Sequence, residues 1–239
     1  CVLLLIPGAS WAIDPAVRNI LISDRTADPL GYGDARGGVF LLRYQSGQPT
    51  RVAAFPAGPV DPTAVLSLPD RSFLVADSGA DPFGLGQGGG ALWRIDPRGE
   101  LTAVTAELVV ASPSFVDPID ILIEPEGTYL VLDSNADPFE TNRLPGAVFR
   151  VDPRTRDVDL LAASPDFVQP RSMAWDTDGS VLIVDQAADP LRLGTPYGAL
   201  FRLNRITGVV SVAYVFSRPR FPGPAAVVAL PNGDYLIAD

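Results

Sequence analysis

Short apolar runs recur along the chain, and five of them end in an aspartate: Asp24, Asp77, Asp133, Asp185 and Asp239. The intervals between them are 53, 56, 52 and 54 residues. Around these anchors the polar and turn-forming positions also repeat. A proline stands 15 residues upstream four times, at Pro62, Pro118, Pro170 and Pro224. Seven and six residues upstream lie the pairs Asp70-Arg71, Glu126-Gly127, Asp178-Gly179 and Asn232-Gly233. Three of these carry a glycine suited to a tight turn. Downstream of the first four anchors comes Ala-Asp-Pro followed by Leu or Phe: 27–30, 80–83, 136–139 and 188–191. Glycine follows at +13 (Gly37, Gly90, Gly146, Gly198) and an aromatic at +16 (Phe40, Trp93, Phe149, Phe201). Arginine occupies +17 in three repeats, at Arg94, Arg150 and Arg202.

One repeat predicts four strands. Strand A (120–123) leads through a tight turn to strand B (129–132). A constant step of 13 residues leads from the anchor to strand C (147–152), and an Asp152-Pro153-Arg154 turn leads to strand D (158–162). Runs of four to six residues are too short for helices, and proline and glycine recur too often for long ones. Four short antiparallel strands per unit, repeated, predict an all-β β-propeller built of four-stranded blades. The first repeat lacks strand A, and the last holds strands A and B only. The sequence therefore reads as a fragment of four to five blades, with six expected in the full-length protein. A single propeller domain is expected over 13–239.

The segment from Phe115 through Pro118 and Gly127 to Asp133 resembles the NHL repeat, in which Phe-x-x-Pro opens an apolar strand, a glycine turn and a strand closed by aspartate. The rhythm from Ile20 to Asp239 is similar to the six-bladed SMP-30/gluconolactonase and strictosidine synthase-like propellers. The B-to-C connection is longer here than in the NHL pattern. The gluconolactonase metal site draws single residues from unlike blades, and no one-off positions here match it.

Composition narrows the chemistry. All 18 basic residues are arginine and histidine is absent, which removes Schiff-base lysines, histidine bases and histidine-ligated metals. A formal net charge of −10 excludes nucleic acid as an expected partner. The one cysteine, Cys1, leaves no internal disulfide. Residues 1–12 read as the remnant of a signal peptide: an apolar run closed by Ser10-Trp11-Ala12, too short to span a bilayer. A buried first strand is the competing reading of that run. Export to a bacterial periplasm or the extracellular space is the expectation.

In a propeller the B-to-C and D-to-A connections emerge on one face. That face is acidic and proline-rich here, and it is the expected binding face. The aspartate pairs at 0 and +4 (Asp24/Asp28, Asp77/Asp81, Asp133/Asp137, Asp185/Asp189) have two readings. Each can accept backbone N–H groups of its own loop, or the pairs can hold Ca²⁺. The +16 aromatics read as core spacers, and the +17 arginines as partners of the aspartates at 0 or +4. Loop residues that differ between repeats are candidates for ligand binding: Tyr32, Asp34, Gln87, Glu140, Asn142, Arg143, Arg192 and Tyr197. Uniform repeats without the usual catalytic side chains favour a binding or scaffold module for a protein, peptide or small molecule. A metal-dependent hydrolase or lactonase of the SMP-30/gluconolactonase type is the alternative.

Overall fold

The computed structural model describes residues 19–25, 37–43, 49–53, 61–70, 72–81, 89–96, 106–141, 143, 145–194, 197–216 and 223–239. The leader-like segment 1–12 lies outside them. The described residues form strands and turns without a helix, so none of them forms a helix long and apolar enough to cross a membrane. The chain divides into two compact units, Cys1–Pro113 and Ser114–Asp239.

The first unit holds two antiparallel sheets. One has three strands in the order β1 (Asn19–Asp24), β2 (Gly38–Arg43), β3 (Pro49–Ala53). The other has four: β4 (Pro62–Ser67), β5 (Phe73–Asp77), β6 (Ala91–Ile95) and β7 (Ala106–Ala111). The second unit holds a four-stranded sheet of β8 (Pro118–Ile123), β9 (Tyr129–Asp133), β10 (Ala147–Asp152) and β11 (Asp157–Ala163). A second four-stranded sheet follows, with β12 (Pro170–Trp175), β13 (Val181–Asp185), β14 (Ala199–Leu203) and β15 (Val210–Val215). The hairpin of β16 (Ala226–Ala229) and β17 (Tyr235–Ala238) completes the unit. Every sheet is a simple meander, so each repeat contributes its strands in sequence order.

Register explains why proline, aspartate and glycine recur together. Asp133 stands opposite Pro118 on one side and Ala147 on the other, and Pro170, Asp185 and Ala199 form the same row. The proline opens the sheet's edge strand, where its missing N–H leaves no ladder bond unmade. A β-bulge follows it, between Pro118 and Asp120 and again between Pro170 and Ser172. The +13 glycine precedes the third strand at positive φ, +86° at Gly146 and +85° at Gly198. A Cβ on Gly146 would lie 2.7 Å from the Asp133 carbonyl oxygen and 2.8 Å from Pro170 Cγ. The glycine of one sheet thus makes room for the opening proline of the next.

Within the second unit the sheets stack through apolar faces. Leu130, Leu132 and Val148 of one sheet meet Met173, Ile183 and Phe201 of the next. Leu182, Val184 and Leu200 on its other face meet Val227, with Ile237 packed alongside. Covered on both faces, β13 is buried at every position, so it reads as an unbroken apolar run rather than an alternating one. The first strands sit side by side, β12 against β8 and against β16.

Candidate functional site on the loop face of the second unit

The connections β9–β10, β11–β12 and β13–β14 leave the same end of their sheets, and the anchor aspartates tie them together. Asp133 is fully buried and accepts the backbone N–H groups of Val116 (2.7 Å), Asp117 (3.0 Å) and Asn135 (3.0 Å). Asp185 repeats this with Val168 (2.8 Å), Gln169 (3.0 Å) and Ala187 (2.9 Å). In the first unit, Asp77 accepts from Asp61 (2.9 Å), Gly79 (3.0 Å) and the indole N–H of Trp93 (3.1 Å). Burial pushes the Asp133 and Asp185 carboxyls above the usual carboxylate range, and the N–H groups pull partly back. Each anchor fastens the segment entering its sheet to the segment leaving its second strand.

The +4 aspartates do a different job. Asp137 accepts from the N–H (3.0 Å) and hydroxyl (3.2 Å) of Thr141. Asp189 accepts from the N–H groups of Leu193 (2.8 Å) and Gly194 (2.7 Å). Both bonds close a turn that places Glu140 and Arg192 at φ 53° and 54°. Asp24 ends β1 and Asp81 follows β5, both with exposed side chains; Asp28 lies outside the described residues. Among the described residues no three Asp, Glu, His or Cys side chains are grouped to hold a metal.

The aromatic positions lock the loops to the core. Phe167, in the β11–β12 connection, meets Phe201 edge-on with centroids 5.0 Å apart. Phe115 meets Phe149 in the same way at 5.5 Å. The +17 arginines, in contrast, do not reach the aspartates at 0 or +4. Arg94 pairs with Asp70, Arg150 with Glu124 at 2.7 Å, and Arg202 with Asp176 at 2.5 Å. The reason is register: Arg150 stands opposite Leu130, while Asp133 lies three residues further along β9. At roughly 3.4 Å per residue, that separates the arginine from the loop end and puts it beside the β8–β9 turn.

Between the β9–β10 and β11–β12 connections lies a cavity of about 580 Å³. Phe139, Thr141, Arg143 and Pro145 line it from one loop, and Pro165, Phe167 and Val168 from the other. Phe167 is buried as its floor, but Phe139 is 48% exposed and Val168 50% exposed. On the next loop Leu191 and Leu193 are 60% and 57% exposed. Of the ligand-binding residues expected from sequence, Arg143 lines the cavity and Glu140 sits on the same loop. Arg192 lies on the neighbouring loop, and Tyr197 packs against the core beside Leu182 and Leu200. Tyr32, Asp34, Gln87 and Asn142 fall outside the described residues.

Sequence reasoning missed the apolar wall of the cavity, because Phe139 belongs to the repeat and reads as architecture. It also missed Asp120. The second residue after the opening proline is Ala64, Asp120, Ser172 and Ala226 in successive repeats, so the carboxylate is unique to one. Asp120 is part-buried between β8 and β12, where it accepts the N–H groups of Met173 (2.7 Å) and Ile121 (2.9 Å). Burial pushes its carboxyl up to about 6 despite these bonds and the Ser172 hydroxyl. Comparing equivalent positions on the first strands would have found it.

No family model matches the chain, and no curated protein matches it. Solved structures do. The chain superposes on the nidogen/laminin complex with a TM-score of 0.62 at 15% identity, covering 93% of this chain and 68% of that one. A gluconolactonase from Xanthomonas campestris gives 0.61 at 15% identity, over 94% and 67% of the two chains. Virginiamycin B lyase from Staphylococcus aureus gives 0.54 at 12% identity, over 86% and 57%. The fold is all-β and propeller-like, with four-stranded antiparallel sheets. At these identities the likeness carries the fold alone: the same architecture occurs in the nidogen/laminin complex, a gluconolactonase and a lyase.

Proposed function

We propose that this chain is an exported NHL-like propeller that acts as a binding or scaffold module through its loop face. The observation that carries this reading is the exposure of Phe139 and Val168 on the cavity wall, with Leu191 and Leu193 exposed on the β13–β14 connection. The apolar +6 residue is repeated yet half-exposed in both described copies, Phe139 and Leu191, which packing does not explain. Clustered exposed apolar side chains with a polar rim mark interaction sites. The anchor aspartates hold the loops, so the surface is formed before a partner arrives. The nidogen/laminin likeness supports a protein or peptide partner. The leader-like residues 1–12 support export.

Peptide-library selection on the immobilised protein tests this. Selected peptides should lose binding to the Phe139→Ser/Leu191→Ser double variant and keep it for Arg154→Ser, which changes the β10–β11 turn. Peptides indifferent to the double variant would contradict the loop-face reading.

Asp120 favours a second reading, a hydrolase of the gluconolactonase kind, because it is a single unrepeated carboxyl raised to about 6 on a first strand. Lactone hydrolysis that disappears in Asp120→Asn and on chelation would establish it.

A further inference from the structure

We infer that the cavity takes the C-terminal residue of a peptide, with a bulky apolar side chain in the pocket and its carboxylate on Arg143. This rests on the loop-face reading and deepens it. The walls from Phe139, Pro145, Pro165 and Val168 are apolar, and the volume of about 580 Å³ lies in the range of roughly 300–1,000 Å³ usual for ligand pockets. An apolar group would gain by entering it.

The charge on the rim gives the second half. Arg143 makes no ion pair or hydrogen bond with another described residue, unlike Arg150, Arg202 and Arg205 of the same unit. The equivalent positions, ten residues after each anchor, are Asp34, Gln87, Arg143 and Thr195, so this cation occurs in one repeat only. A guanidinium fork matches a carboxylate with two parallel N–H···O bonds. Asp137, Glu140 and Asp166 on the same two loops oppose a second negative charge, as does the chain's net charge of −10. The pocket therefore suits one carboxylate next to an apolar group. A polyanion does not fit this rim.

The test is an NMR titration of the full chain with Gly-Gly-Ser-Phe as its free acid, as its C-terminal amide, and as an amidated form with Asp added after the Phe. The free acid should bind roughly tenfold more tightly than the amide, with shifts centred on the amides of Thr141 and Val168. Arg143→Gln should abolish that preference, and Phe139→Ser should weaken both forms. If the Asp-extended amide equals the free acid, the carboxylate is read from a side chain, and the C-terminal assignment is overturned. Equal binding of acid and amide, or no binding at millimolar peptide, overturns the ligand class. Library-selected peptides that still map to the loop face would then leave the broader reading standing.

Discussion

At the scale of single residues, two carboxyls show how neighbours set the charge a side chain carries. Glu124 is buried and gathers Arg150 at 2.7 Å, Arg205 at 3.4 Å and the Thr128 hydroxyl at 2.6 Å. Burial alone would raise its carboxyl, but these partners hold it below the usual value. Glu124→Ala leaves Arg150 without its acid and Arg205 with Glu126 alone. It should cost about 2 kcal/mol, discounted because both arginines are part-exposed, and urea denaturation would show the loss. Asp120 has the opposite sign. Its folded value of about 6 lies above the ordinary 3.8, so the folded protein keeps this proton where the unfolded chain has lost it. The stability it supplies is full at low pH and fades as pH rises from about 4 to 6. Asp120→Asn should therefore flatten that decline, gaining on the parent across the window; parallel pH curves would contradict the assignment. Neither role was legible in sequence. Repetition drew the reading toward Asp133 and Asp185, and a lone aspartate in an apolar strand gave no signal without its neighbour Met173.

At the scale of elements, the repeat unit was legible almost to the residue. The expected third strand, 147–152, is observed as Ala147–Asp152, and the expected second strand gains only Asp133. Short apolar runs bounded by proline and glycine carry that information locally. The arginine partners were not legible, because sequence spacing does not tell which end of a sheet a side chain shares. Two measurements probe the loop scaffold. Gly146→Ala forces a Cβ against the Asp133 carbonyl and Pro170, whereas Gly127→Ala, at φ +90°, meets nothing within 4 Å. The first should cost about 2–4 kcal/mol and the second about 1 kcal/mol. Similar losses would mean that the close approach between sheets is unimportant. The Asp133/Asp137 and Asp185/Asp189 pairs already accept backbone N–H groups, so millimolar Ca²⁺ should leave Tm unchanged. A rise of several degrees would establish the calcium reading of those pairs.

At the scale of the molecule, the blades repeat their sheets faithfully and differ in what their loops expose. Faithful repetition made the propeller fold legible. It hid the proposed binding surface, because Phe139 and Leu191 follow the repeat as closely as any core residue does. Only their exposure reveals that these positions face outward. The central claim is that the loop end of the blades, fastened by buried aspartates, is the face that meets a partner. Hydrogen–deuterium exchange with a bound library-selected peptide tests it most directly. Protection is predicted in 137–145 and 164–169, with 124–128 and 152–157 unchanged. Protection confined to those opposite turns would contradict it.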